Sequence, residues 1–470
     1  MTYSSLSNIQ TDLQLGKISL PKLVDYYLSN IESNKHLNAF LEVYTDEAKE
    51  RAQLINSKLE SGKAGRLAGM VIGLKDNICY KDHRVSASSK ILEGFISVYS
   101  STVVERLLAE DAIIIGRLNC DEFAMGASNE NSAYGPVLNH ADPTRVAGGS
   151  SGGAAVSVQA DMCLASLGSD TGGSIRQPAS FCGLYGFKPT YGKISRWGLI
   201  AYASSFDIIG PIAKSVEDIQ LLMEVIAGID EHDATASERP VGQFVGLPKT
   251  NKKHKFAYIK ETMETEGVEP AVKLAMEAYI QKLKDAGHQV EPVSFDLLPY
   301  LIPVYYTLTT AEASSNLSRF AGMHYGFRSE KAVDLESTVR KSRSEGFGPE
   351  VKRRIMLGTF VLSAGYYDAY YSKAQKVRRL VQEKTSKIFE EFDFILSPTS
   401  PTTAFKIGEK SDNPLAMYLA DIFTVHANIA GVPALSIPFG KDENGMPIGV
   451  QIMAKMHEDS QLLALAEGLA

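Results

Sequence analysis

The sequence is poor in cysteine, which limits the kinds of site that it can hold. Only four cysteines occur among 470 residues, and none forms a Cys-x-x-Cys pair. Because structural zinc sites need closely spaced ligands, no metal site is expected, and the thiols are expected to stay reduced, as in the cytoplasm. Cys182, which has Phe181 and Leu184 as near neighbours, is predicted to be a small buried apolar side chain.

Long apolar runs and an excess of basic charge are also absent. No stretch has the length and apolarity of a membrane span, and residues 1–20 lack the basic and then apolar layout of a secretory signal. The net charge is −7, with 48 basic and 55 acidic residues, so no broad surface for a nucleic acid backbone is expected. The composition favours a globular cytoplasmic protein, in which any contact with RNA is local or made by a partner.

What the sequence does contain is an alternation of short apolar runs and helical segments. Runs such as 70–74 and 112–116 are bounded by glycine and separated by segments such as 102–109. Further strands are predicted at 255–259, 289–293 and 394–398. This alternation predicts an α/β fold with a large, mixed, twisted β-sheet covered by helices on both faces. We expect one domain over 1–470, with a helical N-terminal layer at 1–66, a core at 67–229, an exposed connection at 230–254, and a second α/β half with a helical insertion at 255–470.

Two glycine-serine segments stand out, one around Ser150 (148–153) and one ending at Ser174 (168–174). Glycine-rich loops present successive amide groups that suit an anion or an oxyanion, although the first segment alone also suits a flexible linker. The mostly apolar stretch 154–167 between them predicts a helix followed by a buried strand. Because such a unit would bring both loops to one edge of the sheet, we interpret the loops as one site.

Lys75 directly follows the apolar run 71–74 and is the third component of this site. Burial at the end of a strand disfavours the charged form of a lysine, and a neutral amine can act as a base. The alternative interpretation of Lys75 is an exposed side chain or one paired with Asp76. A serine hydroxyl needs such a base before it can attack a carbonyl carbon.

Taken together and in this order, Lys75 and the two glycine-serine segments, the second extended to Arg176, resemble the signature of the amidase signature family. The resemblance implies that Ser174 is the nucleophile, that Ser150 follows a cis peptide and relays protons, and that Lys75 is the base. The implied activity is hydrolysis of a carboxamide through an acyl-enzyme, with release of ammonia. The resemblance also implies an oxyanion hole made of the backbone amides of Thr171, Gly172, Gly173 and Ser174.

Several segments narrow the resemblance to one branch of the family, the glutamine-hydrolysing subunits of tRNA-dependent amidotransferases. These segments are 121–126, 187–192, 204–207 and 351–359. The branch implies glutamine as substrate, with Arg354 at its α-carboxylate and with Asp421 and Tyr305 at its α-amino side. An arginine fork matches a carboxylate, and an aspartate complements an ammonium. Arg354 also fits a solvated face of a basic helix, and Tyr305 also fits an apolar core.

The same branch implies partner proteins. A B subunit uses ATP and Mg to activate the glutamyl end of mischarged Glu-tRNA(Gln), and a small C subunit completes the assembly. No cofactor is expected on this chain, which has no Gly-x-x-x-x-Gly-Lys loop for ATP. His426 departs from the branch, where proline or a small residue is expected. A hydrogen-bonded structural histidine is favoured there over a pocket residue.

Other functions fit parts of the sequence. The Ser150 segment satisfies the Gly-x-Ser-x-Gly pattern of α/β-hydrolases, but a polar loop at 140–145 precedes it where a strand is needed. The triplet 170–172 resembles half of an aspartic protease site, but no second such triplet occurs. A non-enzymatic scaffold would not need Lys75, Ser150 and Ser174 together. A stand-alone amidase for another carboxamide shares every catalytic residue, differs only in pocket and partners, and stays as the alternative.

Overall fold

The computed structural model describes residues 2–247, 252–410 and 414–469, and the strands of these residues form a single sheet. There are eleven strands: β1 Phe40–Val43, β2 Val71–Lys75, β3 Ile113–Leu118, β4 Ala165–Asp170, β5 Tyr185–Lys188, β6 Ile208–Ala213, β7 Lys255–Ile259, β8 Gln289–Val293, β9 Phe394–Pro398, β10 Ala434–Lys441 and β11 Pro447–Ala454. They lie side by side in the order β1-β3-β2-β4-β6-β5-β10-β11-β9-β7-β8.

The sheet is mixed. β2 runs parallel to β3 and β4, and β7 runs parallel to β8 and β9. The other neighbouring strands are antiparallel, including both partners of β10. This confirms the large mixed sheet that the sequence predicted.

Sixteen α-helices accompany the sheet in the described part of the chain. They are α1 Leu6–Gln14, α2 Leu20–Ser33, α3 Thr45–Glu60, α4 Thr102–Ala109, α5 Gly152–Gln159, α6 Arg176–Cys182, α7 Val216–Ile226, α8 Glu261–Glu264, α9 Pro270–Asp285, α10 Leu298–Asn316, α11 Leu335–Gly346, α12 Pro349–Val361, α13 Lys373–Glu391, α14 Pro414–Leu419, α15 Val425–Ala430 and α16 Asp459–Leu469. The predicted helix at 102–109 and the predicted strands at 255–259, 289–293 and 394–398 coincide with α4, β7, β8 and β9.

Two parallel strands position the polar loops. In the pairing of β2 with β4, Ile72 lies beside Ala165 and Leu74 beside Leu167, so both strands end at the same edge of the sheet. Both are buried along their whole length, as expected for parallel strands covered on both faces. Helix α5 precedes β4, which confirms the helix and buried strand predicted between the two glycine-serine segments.

Two large apolar clusters fill the interior. One cluster joins the N-terminal helices to β2, β3 and β4, through side chains such as Leu23 and Ile72. The other contains the apolar sides of α10, α12 and α13, together with Phe123 and Tyr305. The second cluster brings the helical insertion of the second half of the chain against the loops that follow the parallel strands.

The sequence analysis missed part of the sheet. Only helices were predicted for 1–66, and this is wrong at β1, which pairs antiparallel with β3 at the edge of the sheet. Strands β5, β6 and β11 were also not predicted. β1 has four residues, all partly buried, so it shows no alternation of apolar and polar side chains, and its pairing with β3 decides its conformation.

The polar segment after α7 contains neither helix nor strand in its described part. Ten of the eighteen residues 230–247 are exposed and two are buried, and residues 248–251 of the predicted connection lie outside the described residues. Among the described helices, none has both the length and the apolar character needed to cross a membrane.

Candidate active site

Lys75 lies at the C-terminal end of β2 and is completely buried. Its Nζ lies 2.7 Å from Ser150 Oγ, 2.9 Å from Ser151 Oγ and 2.9 Å from Ser169 Oγ. The adjacent Asp76 does not pair with it, because that carboxylate accepts hydrogen bonds from Arg117 and from residues 86 and 88. The structure therefore excludes the alternative of an exposed or Asp76-paired lysine.

Burial sets the protonation of Lys75. It lowers the pKa of this amine to about 8, against the attraction of nearby acidic groups such as Asp121 and Asp170. None of these groups is close enough for an ion pair, and the immediate neighbours of the amine are neutral hydroxyls. With this pKa, roughly a tenth of the amine is neutral at pH 7 and about half at pH 8.

Ser150 lies in the first glycine-serine loop, and the peptide bond between Gly149 and Ser150 is cis. Hydrogen bonds from two other segments hold this bond: Asp121 N donates to Ser150 O at 3.1 Å, and Gly149 N donates to Gln177 Oε1 at 2.9 Å. Ser150 has no exposed surface. Its hydroxyl can pass a proton to Lys75 but cannot meet a molecule from solvent.

Ser174 lies in the second glycine-serine loop, between β4 and α6. It is 7% exposed, whereas Lys75 and Ser150 are both 0% exposed. Its carbonyl oxygen accepts a hydrogen bond from Ser151 N at 3.2 Å, which joins the two loops. Of the three predicted residues, Ser174 is therefore the one that a bound substrate can reach.

A buried ion pair fixes the second loop. Arg176 Nε and Nη2 donate to the carboxylate of Asp170 at 3.1 and 3.0 Å. The same carboxylate accepts from Gly173 N at 2.9 Å and Ile175 N at 3.2 Å. Burial alone would raise the pKa of Asp170, but the Arg176 charge and these hydrogen bonds lower it to about 2. Asp170 therefore stays ionised and keeps the loop in one shape.

The backbone amides of the second loop differ in availability. Gly173 N is committed to Asp170, so it is the least available of the four predicted oxyanion donors. Within the described residues, no group accepts from the amides of Thr171, Gly172 or Ser174. Thr171 Oγ1 donates to Asp207 Oδ1 at 2.7 Å, which orients the start of the loop. The three unmatched amides are the donors that the loop can offer to an oxyanion.

Arg354 lies on α12 and is 4% exposed, so it is not on a solvated helix face. Its Nε donates to Glu350 Oε1 at 2.8 Å, and its Nη1 donates to Tyr202 Oη at 2.8 Å. The rings of Tyr202, Tyr306 and Tyr418 surround the guanidinium, with centroids 5.1 to 5.7 Å from its central carbon. No described residue accepts from Nη2, so part of this buried fork is unmatched.

Asp421 and Tyr305 lie near the same fork. Asp421 is 7% exposed, and among the described residues nothing donates to its carboxylate. Burial raises the pKa of Asp421 well above its usual range, although the Arg354 charge opposes this rise. The Tyr305 hydroxyl contacts Gly172 so closely that a Cβ on Gly172 would lie 2.5 Å from it. The structure thus places Tyr305 against the loop that contains Ser174, and it groups Tyr305, Arg354 and Asp421 close to one another.

The sequence analysis missed several residues of this site. Ser151 and Ser169, which contact Lys75, lie inside the segments already singled out, so their adjacency was a usable signal. Glu350 lies four residues before Arg354, at the spacing of a helical ion pair. Tyr202 reaches Arg354 from a distant loop, and no local pattern indicates this contact.

His426 and Cys182 belong to the interior. His426 is 1% exposed, its Nε2 lies 2.8 Å from Thr385 Oγ1, and its ring packs on Phe295. Burial lowers the pKa of His426 to about 3, so the ring is neutral. This agrees with a hydrogen-bonded structural histidine. Cys182 is buried, as predicted. Among the described residues, no group of three or more His, Cys, Asp or Glu side chains could hold a metal ion.

Amide hydrolysis is the chemistry for which this edge of the sheet is equipped. Lys75, whose amine is partly neutral, contacts the Ser150 hydroxyl. Ser174 is accessible to a substrate, and the unmatched backbone amides lie in the same loop as Ser174. Enzymes of this class cleave carboxamides with a serine nucleophile and a lysine base in place of histidine. The fold and the site therefore define an amide hydrolase.

Comparison with known proteins narrows this class. The profile of the family described as Amidase matches residues 22–463. The chain therefore belongs to the amidase family, also called the amidase signature family. This match covers most of the chain, including every residue of the site described above.

Among curated proteins and solved structures, similar relatives are named as the A subunit of glutamyl-tRNA(Gln) amidotransferase. The protein from Chlorobaculum tepidum is 48% identical over 483 residues, covering 100% of this chain and 98% of its own. The protein from Koribacter versatilis is 51% identical over 462 residues, covering 97% and 96%. The crystal structure of the A subunit from Thermotoga maritima superposes with a TM-score of 0.80 at 41% identity, covering 96% of this chain and 91% of its own.

Proposed function

We propose that this protein is the glutaminase subunit of a tRNA-dependent amidotransferase. It hydrolyses glutamine, and a partner protein uses the ammonia to convert Glu-tRNA(Gln) into Gln-tRNA(Gln). Full-length similarity to proteins named as the A subunit of glutamyl-tRNA(Gln) amidotransferase supports this proposal. The site supports it independently, because its pocket matches both charged ends of a free amino acid.

The observation that carries the proposal is a pair of unmatched hydrogen-bonding groups on two largely buried side chains. The Nη2 group of Arg354 has no acceptor, and the carboxylate of Asp421 has no donor, within the described residues. A ligand that gives Arg354 an acceptor and Asp421 a donor makes hydrogen bonds that no described residue makes, so such a ligand is favoured. Glutamine offers a carboxylate to Arg354 and an ammonium to Asp421, and its carboxamide extends from the same carbon toward the loop of Ser174. A simple apolar amide would leave both groups unmatched.

The hydroxyls around Lys75 decide which proton the amine accepts. Ser151 Oγ donates to Ser169 O at 3.1 Å, and Asn77 Nδ2 donates to Ser169 Oγ at 2.9 Å. The hydroxyl oxygens of Ser151 and Ser169 can therefore accept the two N–H groups of a neutral Lys75. The lone pair of the amine is then directed at Ser150, the third neighbour, which donates its proton.

Catalysis follows from this order of donors. As Ser150 gives its proton to Lys75, it takes the proton of Ser174, and Ser174 Oγ attacks the carboxamide carbon. The oxygen that becomes negative is stabilised by the amides of Thr171, Gly172 and Ser174. The protons return to the leaving nitrogen through Ser150, and ammonia departs. Water then cleaves the γ-glutamyl ester of Ser174 by the same path and yields glutamate.

The proposal includes the assembly. A B subunit that binds ATP and Mg activates the glutamyl end of Glu-tRNA(Gln), and a small C subunit completes a cytoplasmic heterotrimer that acts in translation. The names of the similar proteins support the statement that such proteins are subunits of a larger enzyme. The net charge of −7 supports a chain that meets tRNA through its partner rather than by a basic surface of its own.

The test is ammonia release from glutamine by the purified chain, alone and with candidate B and C subunits, ATP and Glu-tRNA(Gln). We expect release that depends on Ser174 and rises when the partners and the charged tRNA are present. The Ser174→Ala chain in the same assembly is the matched control. Turnover of simple amides by the lone chain, with none of glutamine under any condition, would instead identify a stand-alone amidase.

A further inference from the structure

Glu122 is a buried carboxylate that the mechanism does not use. It is 2% exposed and forms no ion pair with a described residue. Both of its oxygens accept from Gly348 N, at 3.1 and 2.9 Å, and Oε1 also accepts from the hydroxyl of Ser89. A carboxylate is buried at a cost unless its hydrogen bonds are made, so these contacts account for its presence there.

Gly348 is the N-cap of α12, the residue directly before the helix. No side chain within the helix supplies an N-terminal cap, and the next residue is Pro349. Glu122 takes this role from another part of the chain, because its side chain accepts a hydrogen bond from the Gly348 amide at the N-terminal end of the helix. A Cβ on Gly348 would lie 2.3 Å from Glu122 Oε2, so the glycine leaves the space that the carboxylate occupies.

The two residues beside Glu122 contact Ser150 on one side and the residue before Gly348 on the other. Asp121 N donates to Ser150 O at 3.1 Å, and the Asp121 carboxylate accepts two amides of its own loop, at 2.9 and 3.0 Å. Phe123 packs against Phe347, with ring centroids 5.7 Å apart. Residues 121–123 thus connect Ser150 to the start of α12, the helix that contains Arg354.

We propose that Glu122 is a positioning residue for the amino acid pocket: it fixes the start of α12, so that Arg354 keeps the position in which it binds the α-carboxylate of the ligand. This inference rests on the proposed function, because it assigns to Glu122 the placement of the group that binds the α-carboxylate. Glu122 touches neither substrate nor the reacting atoms. Its effect is transmitted through the first turn of α12, from Gly348 to Arg354.

A positioning role predicts a selective kinetic defect. Displacement of Arg354 weakens its ion pair with the α-carboxylate. This ion pair is equally strong in the ground state and in the transition state. The KM for glutamine should therefore rise while kcat stays near the wild-type value. A substrate without an α-carboxylate never uses Arg354 and should be insensitive to the change. A merely structural role would instead lower the rate with every amide.

The experiment compares glutamine with 4-aminobutyramide, which is glutamine without its α-carboxylate, in the full chain under the conditions in which it hydrolyses glutamine. Glu122→Gln keeps the size of the side chain but turns an NH₂ group toward the Gly348 amide. We expect its KM for glutamine to rise about tenfold, kcat to stay within about twofold, and kcat/KM for 4-aminobutyramide to be unchanged. The exposed Glu93→Gln is the matched control and should leave both substrates unaffected.

Two further variants keep the test decisive if Glu122→Gln folds poorly. Gly348→Ala should reproduce the KM defect, because the new methyl group displaces the carboxylate from the other side, whereas Gly468→Ala, where a Cβ meets open space, is its control. In an Arg354→Ala background, Glu122→Gln should add less than about twofold to the loss with glutamine, because both changes remove the same contact.

The possible results distinguish failure of the role of Glu122 from failure of the proposed glutaminase function. Equal losses on both substrates, a fall in kcat alone, or losses that multiply with those of Arg354→Ala would overturn the role of Glu122 and leave the glutaminase intact. Wild-type kinetics in both Glu122→Gln and Gly348→Ala would do the same. If the wild-type chain with its partners releases no ammonia from glutamine, the proposed function and this inference both fail.

Discussion

The fold keeps acidic side chains away from the amine of Lys75, the proposed base. The side chain ends among the hydroxyls of Ser150, Ser151 and Ser169, while the nearest carboxylate in sequence, Asp76, is occupied by Arg117. Burial then favours the neutral amine. The reactivity of the site depends on this separation of Lys75 from acidic groups.

The pKa of Lys75 predicts the pH dependence of the reaction. The neutral amine is the active form, and its share grows as the pH rises through about 8. We therefore expect kcat/KM for glutamine to increase through about pH 8 and to level off above it. Lys75→Arg, which stays charged, should be inactive without recovery at alkaline pH. A rate that is flat across this range in the wild-type enzyme would contradict a lysine base.

Asp421 predicts the contribution of the substrate ammonium. Asp421→Asn removes the charge but keeps the shape, so the pocket should lose about 2 kcal/mol of binding to glutamine, which is roughly a thirtyfold rise in KM. Glutaramate, which is glutamine without its α-amino group, is the matched substrate. We expect Asp421→Asn to leave kcat/KM for glutaramate within about twofold. An equal loss on the two substrates would argue against contact between Asp421 and the ammonium.

For single residues, the sequence is most informative where the functional side chain lies in a short recognisable motif. Ser150 and Ser174 lie in glycine-rich segments, and Lys75 ends an apolar run, so these residues could be singled out without a structure. Tyr202 could not, because its contact with Arg354 joins residues 152 positions apart. The commitment of Gly173 N to Asp170 also depends on loop geometry that no sequence pattern indicates.

Helix α6 and the loop before it act as one element, because Arg176 ties them to the second half of the chain. Its guanidinium pairs with Asp170 and also donates to Thr424 O at 2.8 Å and Asn428 Oδ1 at 2.6 Å. Both members of the pair are 0% exposed. The shape of the second glycine-serine loop therefore depends on contacts with α15 as well as on its own glycines.

Breaking this pair predicts a large loss of stability. Arg176→Met leaves Asp170 buried without its cation, and we expect the free energy of unfolding to fall by about 3 to 5 kcal/mol, measured by urea denaturation. Arg379→Met is the control, because Arg379 forms a largely exposed pair with Glu383 and its loss should cost less than about 1 kcal/mol. Equal costs for the two variants would mean that the buried pair does not fix the loop.

Among the elements, length and pairing decide what could be predicted. Helix α4 and strands β7, β8 and β9 carry clear apolar patterns with polar or glycine ends, and their positions follow from the sequence. Strand β1 has four partly buried residues and exists because β3 offers an unpaired edge. Strand β11 is likewise defined by its antiparallel partners β9 and β10, which are distant or separated by a turn.

For the whole molecule, the continuous sheet is what joins the two halves of the site. Residues Lys75, Ser150 and Ser174 come from the first half of the chain, while Tyr305, Arg354 and Asp421 come from helices and loops of the second half. The mixed α/β class followed from the alternation of strands and helices. The strand order, in which β5 neighbours β10, could not be read from any local pattern, although it brings the second half against the first.

The central claim is that Ser174 attacks glutamine with the help of Ser150 and Lys75. The most direct measurement is mass spectrometry of the peptide containing Ser174 after rapid acid quenching of the active enzyme with glutamine. The account predicts a γ-glutamyl group on Ser174, absent from Ser174→Ala and from Lys75→Ala even though both variants keep the wild-type melting temperature. A γ-glutamyl group on Ser150, or normal ammonia release by either variant, would contradict it.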